Sequence, residues 1–178
     1  MDRSKIESMI REHGYDDFWW ISGKDVVVSQ WTRFKCMFGC PTYGKKGTCP
    51  PAVPSIEECR EFFKEYKQIA VIHLKKKLDD PEDRKDWSKK TNIDLLKLER
   101  GAFLSGHQKA FLLFMDECRI CEDCPGSRIE CKNLHLARPC PEALGVDVFS
   151  TVRKLEFSIE VLTDYKQEMN RYSFLMIE

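Results

Sequence analysis

The chain has 178 residues, 42% of them hydrophobic and 33% charged, so it is long enough to form one domain with a hydrophobic core. Lysine plus arginine and aspartate plus glutamate number 29 each, which leaves a formal net charge of +0. Because no summed positive field attracts phosphate groups or anionic lipids, we expect neither a nucleic acid nor a membrane surface as partner.

The first segment, MDRSKIESMIREHGYDD, alternates charged and apolar residues at helical spacing. It predicts an exposed helix and lacks the apolar stretch of a secretory signal. No segment reaches the ~20 consecutive apolar residues of a membrane span, so we expect a cytoplasmic protein in a reducing compartment. Nine cysteines, an odd number, then favour metal or redox chemistry over a disulfide framework.

The next segments predict a hairpin, a helix and a strand. Two short apolar runs flank Gly23 and Lys24 in DFWWISGKDVVVSQW, which is consistent with a β-hairpin. In PSIEECREFFKEY, Ser55 and Glu58 stand in the order of a capping box. The apolar residues of this helix share one face: Ile56, Cys59, Phe63 and Tyr66. KQIAVIHL, rich in β-branched residues, then predicts a buried strand.

The mixed-charge run KKKLDDPEDRKDWSKK predicts a solvated loop that leads into a helix. A long helix is expected over about residues 92–105, with Gly106 as its stop. Its predicted buried face consists of Leu95, Leu98, Ala102 and Phe103. Residues 110–115, AFLLFM, predict a second buried strand, which leads directly to Cys118.

The C-terminal part adds a predicted helix, VDVFSTVRKLE, and two closing strands, EVLTDY and RYSFLMIE. The pattern as a whole predicts an α+β fold, with a mostly antiparallel sheet and helices packed on it. We expect a single metal-binding domain over residues 1–178, with a first cysteine loop at 36–51 and a second at 118–141.

The second cysteine group is the more specific of the two. Its members are Cys118, Cys121, Cys124 and Cys131 in CRICEDCPGSRIEC. The C-x2-C-x2-C spacing lets a short loop present three thiolates to three iron atoms of one cubane cluster, as in bacterial ferredoxins. The match covers the first three ligands only, because Cys131 lies seven positions further on and is followed by Lys132 instead of proline.

Zinc is the alternative for this group, because a four-thiolate tetrahedral site also uses C-x2-C pairs. Such a site usually takes two close and two distant cysteines, which leaves the third cysteine of the run surplus. We therefore favour an iron-sulfur cluster of the 4Fe-4S type. Either metal requires deprotonated thiols, so binding releases protons and contributes to folding.

The first group, Cys36, Cys40 and Cys49, has a less specific C-x3-C-x8-C spacing. It is consistent with a second cluster whose fourth ligand comes from elsewhere, with a cluster that has one open iron, or with ligands that complete the second group's site. Proline follows Cys40, Cys49, Cys124 and Cys140. Because proline holds the preceding residue extended, loop ligands are predicted for both groups, with Gly39, Gly44 and Gly47 tolerating positive φ.

Three further residues are weaker ligand candidates. Cys59 falls on the apolar helix face and is interpreted as a core thiol. Cys140 is either a spare thiol or a replacement ligand. His135 is the only histidine near the cysteine groups and is interpreted as a polar surface residue.

Four motifs occur in order along the chain: CMFGCPTYGKKGTCPP, LERGAFLSGHQKAFLL, CRICEDC and RPCPEALGVDV. With these motifs the chain resembles, over nearly its whole length, a family of predicted metal-binding proteins common in anaerobic bacteria and archaea. The resemblance implies that the ligands are the seven motif cysteines, Cys36, Cys40, Cys49, Cys118, Cys121, Cys124 and Cys131. The family pattern looks more like RPSMEALG where this chain has RPCPEALG, so Cys140 departs from it.

The function expected first is electron transfer by an iron-sulfur protein that docks a redox partner protein through a local patch. Trp31 is interpreted as a core residue, with membership of that patch as the alternative. A zinc-stapled interaction module is a second hypothesis. A third is an enzyme that uses an open iron as Lewis acid, with Lys45 and Lys46 as anion contacts.

Overall fold

The computed structural model describes residues 3–164 and 166–178. Helices and strands follow one another as α1 (Arg3–Glu12), β1 (Phe18–Ile21), α2 (Gln30–Gly39), α3 (Ile56–Lys64), β2 (Ile69–Lys76), α4 (Asp83–Leu104), β3 (Phe111–Leu113), α5 (Val148–Arg153) and β4 (Met169–Met176). Short 3-10 turns span Gly23–Asp25 and Glu142–Leu144. No helix in the described part of the chain is long and apolar enough to cross a membrane.

The strands form one antiparallel sheet in the order β1-β2-β4-β3. The two long strands, β2 and β4, pair along their whole length at its centre, from Ile69 opposite Met176 to Lys76 opposite Met169. Strand β3 contributes three residues at the edge beside β4. The predicted α+β class with an antiparallel sheet is confirmed.

Helices cover both faces of the sheet, because successive side chains of each strand point to opposite sides. On β2, Ile69 and Val71 pack in a core cluster with α3 and α5, whereas Ala70 and Ile72 pack in a second cluster with α1 and α4. This explains why KQIAVIHL reads as a nearly continuous apolar run: it is buried on both faces.

The predicted helix at PSIEECREFFKEY is confirmed, including its start. Ser55 accepts a hydrogen bond from the backbone N–H of Glu58, whose carboxylate accepts one from the backbone N–H of Ser55, at 3.2 and 2.8 Å. This reciprocal pair is the capping box, and Ile56, Cys59 and Phe63 face the core as expected.

Five details of the predicted scaffold are wrong. No hairpin forms around Gly23, because β1 pairs with β2 and the residues after the turn continue into α2. Helix α4 begins at Asp83 and not near residue 92, and Phe103 is exposed. Residues 160–164 of the predicted strand EVLTDY form no strand, and the last residue of that segment lies outside the described residues. Trp31 is exposed and not in the core.

Candidate metal centre

The second cysteine loop leaves and rejoins the fold at one end of β3. The backbone N–H of Phe114 donates to the carbonyl of Pro139 at 2.9 Å, which closes the loop at its base. The next residue, Met115, donates its backbone N–H to the side-chain oxygen of Asn92 in α4, at 3.2 Å. Cys118 therefore follows a strand end that is held from two sides.

A buried ion-pair network stands between that strand end and the cysteines. Asp116, two residues before Cys118, accepts a hydrogen bond from Arg84 at 2.6 Å, and the guanidinium of Arg171 on β4 lies 3.7 Å from the same carboxylate. Asp116 is buried, and an unpaired carboxylate would be costly in this position. The two arginines thus fix the start of the loop to α4 and the sheet.

All four thiols of the second group line one small cavity. The cavity is lined by Cys118, Cys121, Cys124 and Cys131 together with Gly47, Thr48, Ile120, Asn133 and Ala137. The side-chain amide of Asn133 donates to the sulfur of Cys121 at 3.0 Å. The loop thus gathers the four predicted ligands around a common space, and a donor group is already directed at one of the sulfurs.

Gathering these thiols has an electrostatic cost. Burial raises the pKa of Cys118, a hydrogen bond from the backbone of Ile120 opposes that rise, and the neighbouring thiols Cys121, Cys124 and Cys131 add to it. Four thiolates around one small cavity would repel one another. A metal ion or cluster between them would offset this repulsion, because a nearby positive charge favours the thiolate form.

The first cysteine group begins on a helix and not on a loop. Cys36 lies in the last turn of α2, and Cys40 caps that helix with φ −97° and ψ 122°, donating its backbone N–H to the Cys36 carbonyl at 3.2 Å. The prediction of a loop ligand is therefore wrong for Cys36, whereas the extended backbone expected before proline is confirmed for Cys40. Residues four apart share a helix face, so the two thiols lie on one side of α2.

Cys49 joins the two groups. Its side chain is buried, and burial raises the pKa of its thiol to about 12. The negative charges that add to this rise come from both loops, and they belong to Glu117, Cys40, Cys36 and Cys118. The structure therefore brings Cys49 close to the other thiols of its own group and also to the first thiol of the second group.

Glycines allow the two loops to approach at the level of the backbone. A Cβ added to Gly47 would stand 2.7 Å from the carbonyl oxygen of Ser127, and one added to Gly126 would stand 3.5 Å from the carbonyl oxygen of Gly44. The expected positive φ holds for Gly44, at +70°. Neither Gly39, which ends α2, nor Gly47 has a positive φ. Glycine is needed at position 47 because the backbone of Ser127 leaves no space for a Cβ.

Buried donors near the cysteines lack a protein partner. Among the described residues, the buried hydroxyl of Thr48 has no hydrogen-bond partner and lines the cavity of the second group. The buried hydroxyl of Thr32 also has none and lines the cavity that contains Cys36. Buried donors in proteins are normally satisfied. Donors of this kind fit the sulfur atoms of a thiolate-bound cluster, which accept hydrogen bonds.

Two of the weaker candidates do not line the cavity of the second group, although Cys59 lines a separate cavity of about 410 Å³ with Gly47 and Thr48. Cys59 is 1% exposed, packs in the core cluster of α3, and directs its thiol at the carbonyl of Pro54, 3.7 Å away. This supports its interpretation as a core thiol. His135 is exposed and does not line the cysteine cavity, and its carbonyl accepts a hydrogen bond from Arg138.

Helix α2 also presents an apolar face that the sequence analysis missed. Trp31, Phe34 and Phe38 are 46%, 54% and 77% exposed and line, together with Cys36 and Cys40, a cavity of about 840 Å³. The signal was present, because these aromatic residues recur at i, i+3 and i+7, but the hairpin interpretation obscured it. The first cysteine group thus opens onto an exposed aromatic surface.

Within residues 3–164 and 166–178, no three or more His, Cys, Asp or Glu side chains converge closely enough to hold a metal ion between them. All nine cysteines are free thiols.

Comparison with curated proteins and comparison with solved structures both gave no match. A family described as "Predicted metal-binding protein (DUF2284)" matches residues 19–177. Among the helices and strands, only α1 and the first residue of β1 lie outside this range. The chain belongs to this family of predicted metal-binding proteins.

Proposed function

We propose that the protein is an iron-sulfur protein that transfers electrons, and that Cys118, Cys121, Cys124 and Cys131 hold a 4Fe-4S cluster. The observation that carries the proposal is that these four thiols line a single cavity. The C-x2-C-x2-C spacing supports iron in preference to zinc, because it offers three adjacent thiolates to three corners of one cubane. When bound, such a cluster supplies one-electron chemistry.

The residues of the chain have definable tasks at this site. Asn133 donates to the Cys121 sulfur at 3.0 Å, and the unpartnered hydroxyl of Thr48 lines the same cavity. Donors of this kind stabilise negative charge on sulfur and thereby raise a reduction potential. Ile120 and Ala137 supply apolar walls that limit access of water.

The first group is proposed to hold a second cluster through Cys36, Cys40 and Cys49. Two observations support this: the charges of Cys36 and Cys40 act on the Cys49 thiol, and the unpartnered hydroxyl of Thr32 lines the same cavity as Cys36. Burial raises the pKa of the Cys49 thiol and the charge of Cys118 adds to the rise, which supports a position of the first group next to the second. Two adjacent clusters would give electrons a path through the protein.

The exposed aromatic face of α2 is the proposed contact for a redox partner protein. It borders the first cysteine group, and the rings of Phe34 and Phe38 stack with their centroids 6.1 Å apart. With a net charge of +0, the protein lacks long-range attraction, so a partner has to be held by a local surface. Aromatic residues are the enriched components of such surfaces.

Anaerobic purification, an absorbance spectrum and metal analysis on one sample test the proposal. The expected result is a brown protein with a broad band near ~400 nm that bleaches with dithionite, with several irons and equal inorganic sulfide per chain. A colourless protein with one or two zinc ions would overturn electron transfer and would establish the zinc-stapled module instead. The alternative hypothesis, an enzyme that uses an open iron as Lewis acid, requires a cluster that is bound by only three thiols.

A further inference from the structure

Cys140 lies at the end of the second loop, between the surroundings of Cys49 and those of Cys36 and Cys40. On one side, Pro139 lines a cavity of about 410 Å³ together with Gly47 and Thr48, the two residues before Cys49. Cys59 also lines this cavity, but its thiol is directed at the carbonyl of Pro54. This places the segment that carries Cys140 against the segment that carries Cys49.

On the other side of Cys140, Glu142 lines the cavity of about 840 Å³ that also contains Cys36 and Cys40. One turn before Cys36, Arg33 donates from its Nη2 to the carbonyl of Ala143 at 3.1 Å, which ties α2 to the same segment. The residues on either side of Cys140 therefore share one cavity with Cys36 and Cys40 and another with the two residues before Cys49.

The backbone at Cys140 is fixed. Its carbonyl accepts a hydrogen bond from the N–H of Ala143 at 3.1 Å, and the carbonyl of Pro141 accepts one from Val146 at 3.0 Å. Gly145, at φ +78°, turns the chain so that its own carbonyl accepts from the N–H of Ser29 at 2.8 Å, immediately before α2. The thiol is thus carried by a rigid turn packed against the start of α2.

The electrostatic surroundings agree with this position. Burial raises the pKa of Cys140 well above its ordinary value, and the charges of Glu142 and Cys49 raise it further. Burial likewise raises the pKa of Cys36, and the charges of Cys40 and Glu142 add to the rise. Cys59 differs in this respect, because the charged groups that act on its thiol are Arg33 and two glutamates and include no cysteine.

We propose that Cys140 is the fourth ligand of the first metal site, so that the chain carries two four-cysteine sites. The first consists of Cys36, Cys40, Cys49 and Cys140, and the second consists of Cys118, Cys121, Cys124 and Cys131. The inference rests on the proposed metal binding by both groups and adds the residue that closes the first of them. Binding converts the Cys140 thiol to a thiolate and releases its proton to solvent.

Iron and sulfide analysis of variants purified anaerobically tests this assignment. The unmodified protein is expected to carry about eight irons, the sum of two four-iron clusters. Cys140→Ala should retain about half of them, whereas the matched control Cys59→Ala should retain all. Full iron content in Cys140→Ala would overturn the assignment, and so would loss of half the iron in Cys59→Ala alone.

A second measurement uses the unmodified protein and so avoids any folding defect of the variant. Cysteines are alkylated before and after removal of iron by a chelator, and the modified sites are identified by mass spectrometry. Cys140 should be protected in the loaded protein and modified after chelation, while Cys59 stays protected in the core. Modification of Cys140 in the loaded protein would overturn the assignment, and so would protection that chelation does not change.

The two proposals fail in different ways. If the unmodified protein holds zinc and no iron, the iron-sulfur function is wrong, and the role of Cys140 is then decided by zinc content. Two zinc ions in the unmodified protein and one in Cys140→Ala would support the fourth ligand, and equal zinc content in both would overturn it.

Discussion

Gly47 of the first cysteine loop lies against the backbone of Ser127 in the second, so closely that an added Cβ would stand 2.7 Å from the Ser127 oxygen and 2.8 Å from its carbonyl carbon. Backbone atoms cannot move aside as the end of a flexible side chain can. The two loops that carry the proposed ligands therefore approach each other closely at this point.

Gly47→Ala should therefore separate the loops, at a cost of about 1–3 kcal/mol in the free energy of unfolding. The metal content per chain should fall together with the stability, because Gly47 and Thr48 line the cavity of the second cysteine group. Thermal unfolding and metal analysis measure the two effects. Gly39→Ala is the matched control: nothing lies within 4 Å of its added Cβ, and it should leave both quantities unchanged. Equal behaviour of the two variants would show that the loop contact is unimportant.

Asn133→Ala should lower the reduction potential of the proposed second-group cluster. The amide of Asn133 donates to the Cys121 sulfur at 3.0 Å, and loss of a donor to sulfur favours the less negative, oxidised state. A shift on the order of tens of millivolts is expected in a redox titration, with unchanged iron content. His135→Ala is the control, because that exposed side chain does not line the cavity. An unchanged potential in Asn133→Ala would contradict a role of this hydrogen bond.

Glu99→Ala should destabilise the fold more than Glu99→Gln. The buried carboxylate of Glu99 in α4 accepts from the backbone of Leu112 in β3 and from the Nε of Arg138, each at 2.9 Å. Its removal leaves both donors unpaired, which costs about 3 kcal/mol. Glutamine keeps an oxygen acceptor and should lose less. Urea denaturation followed by circular dichroism gives the comparison, and equal losses would contradict the role of the acceptor.

Asp94→Asn should lower stability at neutral pH and have less effect in acid. Partial burial opposes ionisation of Asp94, but hydrogen bonds from His13 and Tyr15 outweigh it and hold the pKa of the carboxyl below its ordinary value. A carboxyl with a depressed pKa in the folded state stabilises the protein above its unfolded pKa of about 4, and this contribution disappears as the pH falls through the folded value.

The free energies of unfolding of the unmodified protein and Asp94→Asn, measured in the same metal state, should therefore differ at pH 7 and converge below about pH 4. Tyr15→Phe removes the bond that the Tyr15 hydroxyl donates at 2.9 Å and should show the same convergence with smaller amplitude. A difference that does not change with pH would show that the ionised carboxylate is not the stabilising form.

Elements with strong local patterns were predicted correctly. The capping box of Ser55 and Glu58 lies within four residues, and the β-branched run at Ile69 and Val71 has one stable environment, a sheet covered on both faces. The hairpin around Gly23 failed for a nonlocal reason: the partner of β1 is β2, about fifty residues away in the chain. Local apolar runs do not reveal which strand they pair with.

The sequence by itself determined the antiparallel α+β scaffold and the grouping of Cys118, Cys121, Cys124 and Cys131, because short spacings restrict where a loop can place its thiols. Only the tertiary structure decided that Cys36 lies on a helix and that the neighbours of Cys140 share one cavity with Cys36 and Cys40 and another with the residues before Cys49. Those relationships depend on how α2 and the two loops pack, with Gly47 against the backbone of Ser127. Residues about eighty positions apart meet only when the whole chain is folded.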